Sequence, residues 1–570
     1  MIDYTLAVSD PAAHLVEVEV VARDVSAPLE LIFPTWTPGS YLVREHARHV
    51  QWLRAEVGAA EKLAKDRWRI VPEAGAIRIR YALYANDLTV RTNHVDATHA
   101  FVNPAAALPY LEGRRQEACR LTVRAPPGWN TACALPLESG ALLATDYDEL
   151  ADSPIHLAPI TPAYFSVRGV PHELWIWGEA EGATEPARLT ADLARILEVQ
   201  AQLFGGLPYQ RYVFILMLDE RARGGLEHRA SCALLSTRGA FRTAVAYEDL
   251  LLLAAHEAFH LWNVKRIKPA AFEPYDYTRE CYTRLLWAME GLTSFYEVST
   301  VRRAGLISDQ RAFEIWGERI TQLLRTPGRL VQPLADASFD AWIKYYRADE
   351  QSPGVQISYY LKGSIVGLLL DLTIRQVSNR ARSLDDVMRL LWERFGARGL
   401  GMPEDAVEQA ASEVAGVDLR AFFDRALRST EELDIAGALA GMGLRLGLRV
   451  QQNAKDKGGR PPKHDPEERE REEPRAWLGA ELKSEGHSLR FAVVLPRSPA
   501  SAAGLSAGDE LVAVDGFRVD ARNAEERLLA RLPGSRVGLH VFRRGKLLEV
   551  AVALAAPPLD TAWIEVSTAS

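Results

Sequence analysis

Two histidines four positions apart, His256 and His260, lie in a run of apolar residues, and Glu257 directly follows the first of them. Side chains four positions apart lie on one face of a helix, so both imidazoles can bind one metal ion. The apolar segment 250–255 predicts a helix buried on most sides, where unpaired His and Glu side chains would be costly. This HExxH spacing therefore predicts a zinc site with Glu257 as general base. The alternative is a pair of core histidines beside a solvated glutamate.

A catalytic zinc ion needs a third protein ligand and an open position for water. Glu290 is the best candidate, because it lies in the apolar stretch LLWAMEGLTSFY, where a carboxylate needs a charged partner. Gly291 next to it would let another helix approach closely. The alternative for Glu290 is a side chain that reaches the surface. We expect one Zn²⁺ per chain, although Co²⁺ or Mn²⁺ can occupy such a ligand set.

Two further motifs could contact a substrate. Tyr360, in SYYLKG, could donate a hydrogen bond to the oxyanion of a tetrahedral intermediate, although core packing explains it equally well. In GGLEH, Gly224 and Gly225 would let a peptide backbone come close, and Glu227 could pair with a free α-amino group. The alternative for Glu227 is a solvated loop position.

The helices and strands that must position these residues belong to a chain predicted to have a multidomain α+β fold. Residues 1–165 alternate apolar and polar positions, which predicts an antiparallel, β-sandwich-like domain, and 34–50 is either a rigid structural loop or one that approaches the active site. We expect a catalytic domain over 166–335, a helical domain over 336–440 and a further module over 441–560. Segments 213–218 and 230–237 predict buried strands, and we expect the latter to be the sheet edge that pairs with a substrate.

Charge and apolar content indicate which partners and which cellular location to expect. The chain has 570 residues and a net charge of −8, which argues against nucleic acid or an anionic membrane as partner. The N-terminal segment lacks the features of a signal peptide, and no run of 18 apolar residues occurs, so we expect a cytoplasmic protein. The polar, charged insert 451–475 predicts disorder.

Taken together, HEAFHLWNVKRIKP, WAMEGLTSFYE, YYLKG and the upstream GGLEH resemble the glycyl aminopeptidase family, gluzincin metallopeptidases that carry a PDZ domain. The resemblance implies a thermolysin-like catalytic domain with His256, His260 and Glu290 as zinc ligands and Glu257 as base. It also implies Tyr360 as oxyanion donor and Glu227 as the anchor for the substrate N-terminus. His228 stands where related aminopeptidases have Asn.

The module after residue 475 resembles a PDZ domain. WLGAEL, with Leu478 and Gly479, matches the loop and strand that open a peptide groove, and such a groove binds a chain end by adding a strand. The alternative is a packing domain with a filled groove.

We therefore predict a zinc aminopeptidase that removes an N-terminal residue from peptides, and the resemblance implies a preference for Gly or Ala. Its partners would be peptides with a free N-terminus and, at the PDZ module, peptide C-termini. Alternatives are a zinc hydrolase of another bond, an endopeptidase, or a peptide-binding scaffold. The sequence does not determine the oligomeric state.

Overall fold

The computed structural model describes residues 1–220, 223–462, 475–486 and 488–567. The chain forms two compact units. Unit 1 comprises 1–283, 296–307 and 385–407, and unit 2 comprises the described residues of 284–295, 308–384 and 408–570.

The first part of unit 1 is built from short strands in which buried and more exposed residues alternate, as in β2, where every second side chain is buried. The strands form three sheets, with orders β13-β14-β11-β1-β2-β7-β4, β10-β3-β6-β5 and β12-β15-β9-β8. The pairing is antiparallel except between β1 and β11, so the predicted β-rich N-terminal region is confirmed. The strands are β1 (Ile2–Ala7), β2 (Leu15–Arg23), β3 (Leu29–Ile32), β4 (Val50–Val57), β5 (Ala59–Lys62), β6 (Arg67–Val71), β7 (Ala76–Tyr84), β8 (His94–Val95), β9 (Ala100–Val102), β10 (Tyr110–Leu111), β11 (Cys119–Arg124), β12 (Asn130–Ala132), β13 (Leu137–Glu138), β14 (Ala141–Ala144) and β15 (Ile155–Ala158).

A mixed sheet follows in unit 1, formed by β16 (Ala163–Val167), β17 (Val170–Trp177), β18 (Tyr212–Asp219), β19 (Gly224–Glu227) and β20 (Ser231–Thr237). Their order is β16-β17-β18-β20-β19, with β17, β18 and β20 parallel. Strands β18 and β20 are apolar and buried, as predicted. The expectation that 230–237 is the sheet edge is wrong. Strand β20 has a neighbour on each side, and β19, which contains the GGLE residues, occupies the edge.

The described residues before the C-terminal module also form helices, two of them within the N-terminal strand region, one between two strands of the mixed sheet and the others between this sheet and the module. They are α1 (Pro104–Ala107), α2 (Tyr147–Ala151), α3 (Pro186–Phe204), α4 (Ala244–Phe259), α5 (Leu292–Arg303), α6 (Asp309–Leu324), α7 (Leu334–Phe339), α8 (Ser352–Val355), α9 (Tyr359–Val377), α10 (Leu384–Arg394), α11 (Ala406–Ala415), α12 (Arg420–Phe423) and α13 (Ile435–Ala440). Turns of 3₁₀-helix cover Pro11–Ala13, His46–His49, Arg238–Phe241, Ala270–Phe272, Pro327–Leu330, Tyr345–Arg347 and Gly396–Arg398, and π-helical turns cover Trp287–Gly291 and Asp424–Arg428.

The close approach predicted at Gly291 is present in unit 2. A Cβ atom on Gly291 would lie 2.5 Å from the Cα atom of Gly363, on α9. The turn before α5 is π-helical rather than α-helical, which the sequence does not indicate. The two glycines therefore let the backbone of this turn contact the backbone of α9 directly.

The C-terminal part of unit 2 has the PDZ-like β architecture. Its elements are β21 (Leu444–Arg449), β22 (Ala480–Glu485), β23 (Ser488–Val494), α14 (Pro499–Ala502), β24 (Glu510–Val514), β25 (Phe517–Arg518), α15 (Ala524–Leu529), β26 (Arg536–Arg543), β27 (Lys546–Ala553) and β28 (Thr561–Val566). The sheet order is β22-β23-β24-β26-β27, with β25 paired to β24. Its separate core includes Phe491, Leu539 and Val541.

The first part of the insert, residues 451–462, makes defined contacts. Asp456 forms an ion pair with Arg449 in which both side chains are nearly buried. The amide of Gly459 donates to the carbonyl of Ala562, and a Cβ atom on Gly459 would lie 2.5 Å from the carbonyl oxygen of Glu314 on α6. Residues 451–462 thus have contacts that their polar composition does not indicate, and the disorder of the insert 451–475 stays a prediction. Residues 463–474 lie outside the described residues, and the boundaries between the four domains stay predictions.

One helical stretch, Ser352–Val377, has the length and mean hydropathy, 1.3, of a membrane span. In the most apolar 18 residues of this stretch, 72% is buried inside the protein. This degree of burial is typical of a core helix.

Candidate active site

Helix α4 begins at a capped N-terminus, where the side chain of Thr243 accepts a hydrogen bond from the amide of Ala246. It ends at Phe259, which places His256 in its last turn and His260 at its C-cap. The two imidazole centroids are 4.6 Å apart, and both side chains are nearly buried. The helix therefore presents two imidazoles to one point, as the four-residue spacing predicts.

Each imidazole is oriented through its Nδ1 atom. Nδ1 of His256 donates to Oε2 of Glu297 over 2.7 Å, and Nδ1 of His260 donates to the carbonyl oxygen of Asn263 over 2.8 Å. Because a neutral imidazole has one N–H group, these bonds place the lone pair of each ring on Nε2. This is the arrangement in which histidines bind metals in proteins.

Sequence analysis missed both of these orienting residues. Glu297 lies in an apolar helix seven positions after Glu290, and this spacing places the two on similar helix faces. This spacing could have indicated Glu297 from the sequence. Asn263 acts through its main-chain carbonyl, so its role cannot be predicted from its side-chain type.

Glu257 lies against strand β19. Its carboxylate occupies the space that a Cβ atom on Gly225 would need, so Gly225 is required for the approach of the strand to α4. One ligand atom each from Glu227, Glu257 and His260 lies within 4.8 Å of the others, and all three side chains are buried. Two carboxylates held this close in a buried site repel each other, so the site favours cations.

Glu227 is 3% exposed, and within the described part of the chain its Oε1 atom has no hydrogen-bond partner. A Cβ atom on Gly39, where φ is +92°, would lie 2.5 Å from Oε1 of Glu227. The 34–50 loop is thus anchored, with Trp36 donating to the carbonyl of Asp276, and it also reaches Glu227. The loop is therefore anchored as a structural loop and also approaches the candidate active site.

His228 belongs to a buried charge cluster. Oδ1 of Asp152 lies 3.0 Å from Nδ1 of His228 and 2.6 Å from Nζ of Lys265. Burial alone would raise the pKa of the Asp152 carboxyl, but Lys265 and His228 lower that pKa more, to well below its usual range. This cluster fixes the end of β19 next to Glu227.

Two predicted site residues lie in unit 2. Glu290 is 2% exposed and sits on the π-helical turn. The hydroxyl of Tyr360, at the start of α9, lies 3.4 Å from the hydroxyl of Tyr346. Burial raises the pKa of Tyr360 well above its usual value, and the negative charge of Glu290 adds to this rise. The tyrosine therefore stays protonated and able to donate.

The residues present fit a metal ion. His256 and His260 in unit 1 and Glu290 in unit 2 are all buried, and each offers a possible ligand atom. Two imidazoles and one carboxylate are a donor set that zinc binds in catalytic sites.

A cavity of about 990 Å³ opens beside the PDZ-like sheet in unit 2. Its lining includes Leu478, Gly479 and Leu482 on the β22 side, Leu528 on α15, and Leu330. Gly479 has φ of +72°, and a Cβ atom there would overlap Ser498, so the turn requires glycine. The predicted groove residues therefore line an open space.

Comparison with known proteins identifies three matching family profiles. The Peptidase M61 N-terminal domain matches residues 3–159, the M61 glycyl aminopeptidase family matches 249–366, and the PDZ domain matches 476–554.

Solved structures are also similar. An aminopeptidase N family protein from Idiomarina loihiensis is 32% identical, with a TM-score of 0.94 over 100% of this chain and 98% of that one. An M1 zinc metallopeptidase from Deinococcus radiodurans, bound to a Tyr-Ser-Ala substrate, is 14% identical, with a TM-score of 0.48 over 76% of this chain and 94% of that one. On the three profiles and the first of these structures, the chain belongs to the M61 glycyl aminopeptidase family and is a peptidase with a PDZ domain.

Proposed function

We propose that the protein is a zinc-dependent aminopeptidase that removes the N-terminal residue, Gly or Ala, from peptides. The observation that carries this proposal is the buried group of Glu227, Glu257 and His260, whose ligand atoms lie within 4.8 Å of one another. A buried carboxylate beside a metal-binding histidine is suited to hold a cation, and the cation a peptide can offer is its α-ammonium group.

His256, His260 and Glu290 would hold one catalytic Zn²⁺. When bound, zinc supplies Lewis-acid chemistry, because it polarises the scissile carbonyl and lowers the pKa of water to about 7. Glu297 and the main chain of Asn263 keep both imidazoles in the orientation that binding requires.

Glu257 acts as the general base. It takes a proton from the attacking water and delivers it to the leaving amine. Tyr360, kept protonated by its raised pKa, donates a hydrogen bond to the oxyanion of the tetrahedral intermediate.

Glu227 binds the α-ammonium group and sets the position of the scissile bond. Among the strands that the structure describes, the outer side of the edge strand β19 has no neighbouring strand and is where an extended peptide would add, and there the carbonyl of Gly225 already accepts a hydrogen bond from Arg91 over 3.3 Å. Glu227 packs against Gly39 and Glu257 packs against Gly225, and a side chain at either glycine would overlap the carboxylate. This crowded space supports the preference for a small first residue.

The test compares a Gly-amide reporter having a free amine with its N-acetylated form. The wild type should cleave the free form only, and Glu227→Gln should lower kcat/KM on it by about 10²-fold, because the ammonium loses a charged partner. The matched control is Glu198→Gln, since Glu198 is an exposed carboxylate paired with Arg168. Equal cleavage of the acetylated reporter by the wild type would instead identify an endopeptidase.

The open cavity beside β22 supports a second activity, the binding of peptide C-termini at Leu478 and Gly479. The cytoplasmic location stays a prediction.

A further inference from the structure

A second group of metal-ligand residues lies in unit 1 and shares no residue with the HExxH group. One ligand atom each from His94, Asp96 and His99 lies within 4.8 Å of the others. A fourth residue, His156, adjoins the group, with its Nε2 atom 3.1 Å from Nδ1 of His99.

The sheet register brings these imidazoles together. His94 on β8 and His156 on β15 are both paired with Phe101 on β9, so their side chains leave the sheet on the face that Phe101 uses. His99 precedes Phe101 by two positions and stacks on Trp177, with ring centroids 3.4 Å apart. Three imidazoles thus occupy a sheet face on which apolar side chains are expected.

These histidines are buried, and their hydrogen-bonding capacity is not filled. His94, His99 and His156 are 9%, 0% and 1% exposed. Nδ1 of His94, Nε2 of His99 and Nδ1 of His156 have no hydrogen-bond partner among the residues that the structure describes. Polar atoms buried in this way normally have a partner. Of the three, Nε2 of His99 belongs to the group of possible ligands, and since Nδ1 of the same ring faces His156, this Nε2 atom is the one that indicates a ligand.

Asp96 uses its two oxygens differently. Oδ1 accepts from the amide and hydroxyl of Thr98, over 2.7 and 2.6 Å, and from the amide of His99, over 3.1 Å. Oδ2 accepts a hydrogen bond from Nε2 of His94 over 3.2 Å, which a metal ion bound by both atoms would replace. That separation is close to the ~3.3 Å between ligand atoms on a tetrahedral ion with bonds of about 2.0–2.1 Å.

We propose that His94, Asp96 and His99 bind a second divalent transition-metal ion, separate from the catalytic one. His156 bonds to His99 and fixes the orientation of that ring, as outer partners of metal ligands do. Imidazole and carboxylate ligands suit Zn²⁺ and its neighbours in the first transition row. Bound there, the ion would link the two ends of the β8–β9 turn, and the hydrogen bond of His99 to His156 joins that turn to strand β15.

The test uses Asp96→Asn in the full-length chain. Asparagine keeps an oxygen at the Oδ1 position for the turn but replaces Oδ2 with an amide, which does not ligate zinc. After dialysis against Zn²⁺, metal analysis should give about two ions per chain for the wild type and about one for the variant. The matched control is Asp276→Asn, because Oδ1 of Asp276 makes the same kind of turn with Thr278, and it should keep the wild-type content.

A second measurement separates this site from the catalytic one. The double variant His256→Ala/His260→Ala should retain about one ion, and adding Asp96→Asn should remove it. Absorption of bound Co²⁺ reports the same loss without any dependence on activity. A wild type and an Asp96→Asn variant with equal metal content, or a double variant without metal, would overturn the proposal.

Discussion

At the residue scale, the candidate site consists of side chains whose types are visible in the sequence and partners that are not. The HExxH spacing indicated His256, Glu257 and His260, because a four-residue separation is a local property of a helix. Glu297 and the carbonyl of Asn263, which orient the imidazoles, come into place only through tertiary packing. Sequence patterns therefore identify candidate ligands more readily than the groups that hold them.

Glu297→Gln tests this orienting role. Loss of the carboxylate removes the charge-assisted bond to His256, so we expect zinc affinity to fall by about 10–100-fold with little change in thermal stability. Competition with a chromogenic chelator measures the affinity. Glu198→Gln is the control, and zinc affinity that is the same in Glu297→Gln as in the wild type would show that Glu297 does not orient the ligand.

At the element scale, the sequence predicted which segments form helices and strands better than it predicted their local geometry. The buried strands β18 and β20 and helix α4 follow from apolar patterns. The edge position of β19 was missed, because two adjacent glycines predict a loop as well as a strand. The π-helical turn at Glu290 was also missed, because a π-turn is a rare single-turn change of hydrogen bonding inside a helix, and apolar periodicity predicts only the helix.

Gly363→Ala tests the contact between α9 and this turn. The new methyl group would meet backbone atoms, with the Cα of Gly291 and the carbonyl oxygen of Trp287 each 2.9 Å away, so the two segments must separate. We expect a loss of about 1–3 kcal/mol in unfolding free energy and weaker zinc binding through displaced Glu290. Differential scanning calorimetry and metal analysis measure the two effects.

The control for this prediction lies one turn along α9. A Cβ atom on Gly367 would meet side-chain atoms of Leu292 and Phe295 at 3.0 and 3.2 Å, and these can shift. Gly367→Ala should therefore cost less than Gly363→Ala. Equal stability and zinc content in Gly363→Ala and the wild type would show that the close contact has no role.

At the scale of the whole molecule, the order of a β-rich region, a helical region and a C-terminal module was predictable from changes in apolar periodicity along the chain, and the PDZ type of that module from its resemblance at WLGAEL. Contacts between residues distant in sequence were not, and the cluster of Asp152, His228 and Lys265 is an example. It joins three segments of unit 1 through one carboxylate.

The pH dependence of stability tests this cluster. Because the pKa of Asp152 in the folded protein lies below its usual value of 3.8, the carboxylate stabilises the fold above that pH, and the contribution is lost as pH falls through the lower, folded-state pKa. Asp152→Asn should therefore lower the Tm by several degrees at pH 7, a difference that persists to about pH 4 and narrows below it. Circular dichroism melts measure it, with the exposed Asp10→Asn as control, and a difference that grows on acidification would contradict the assignment.

The central claim is that zinc, held by two imidazoles and a carboxylate, works with Glu257 to hydrolyse peptides from a free N-terminus. Its most direct measurement is the zinc content and Gly-amide hydrolysis of wild type and Glu257→Gln, before and after chelation. The account predicts equal zinc content, a loss of turnover of about 10²–10⁴-fold in the variant, and wild-type activity that stops on chelation and returns with Zn²⁺. Near-normal turnover by Glu257→Gln, or hydrolysis indifferent to the chelator, would contradict it.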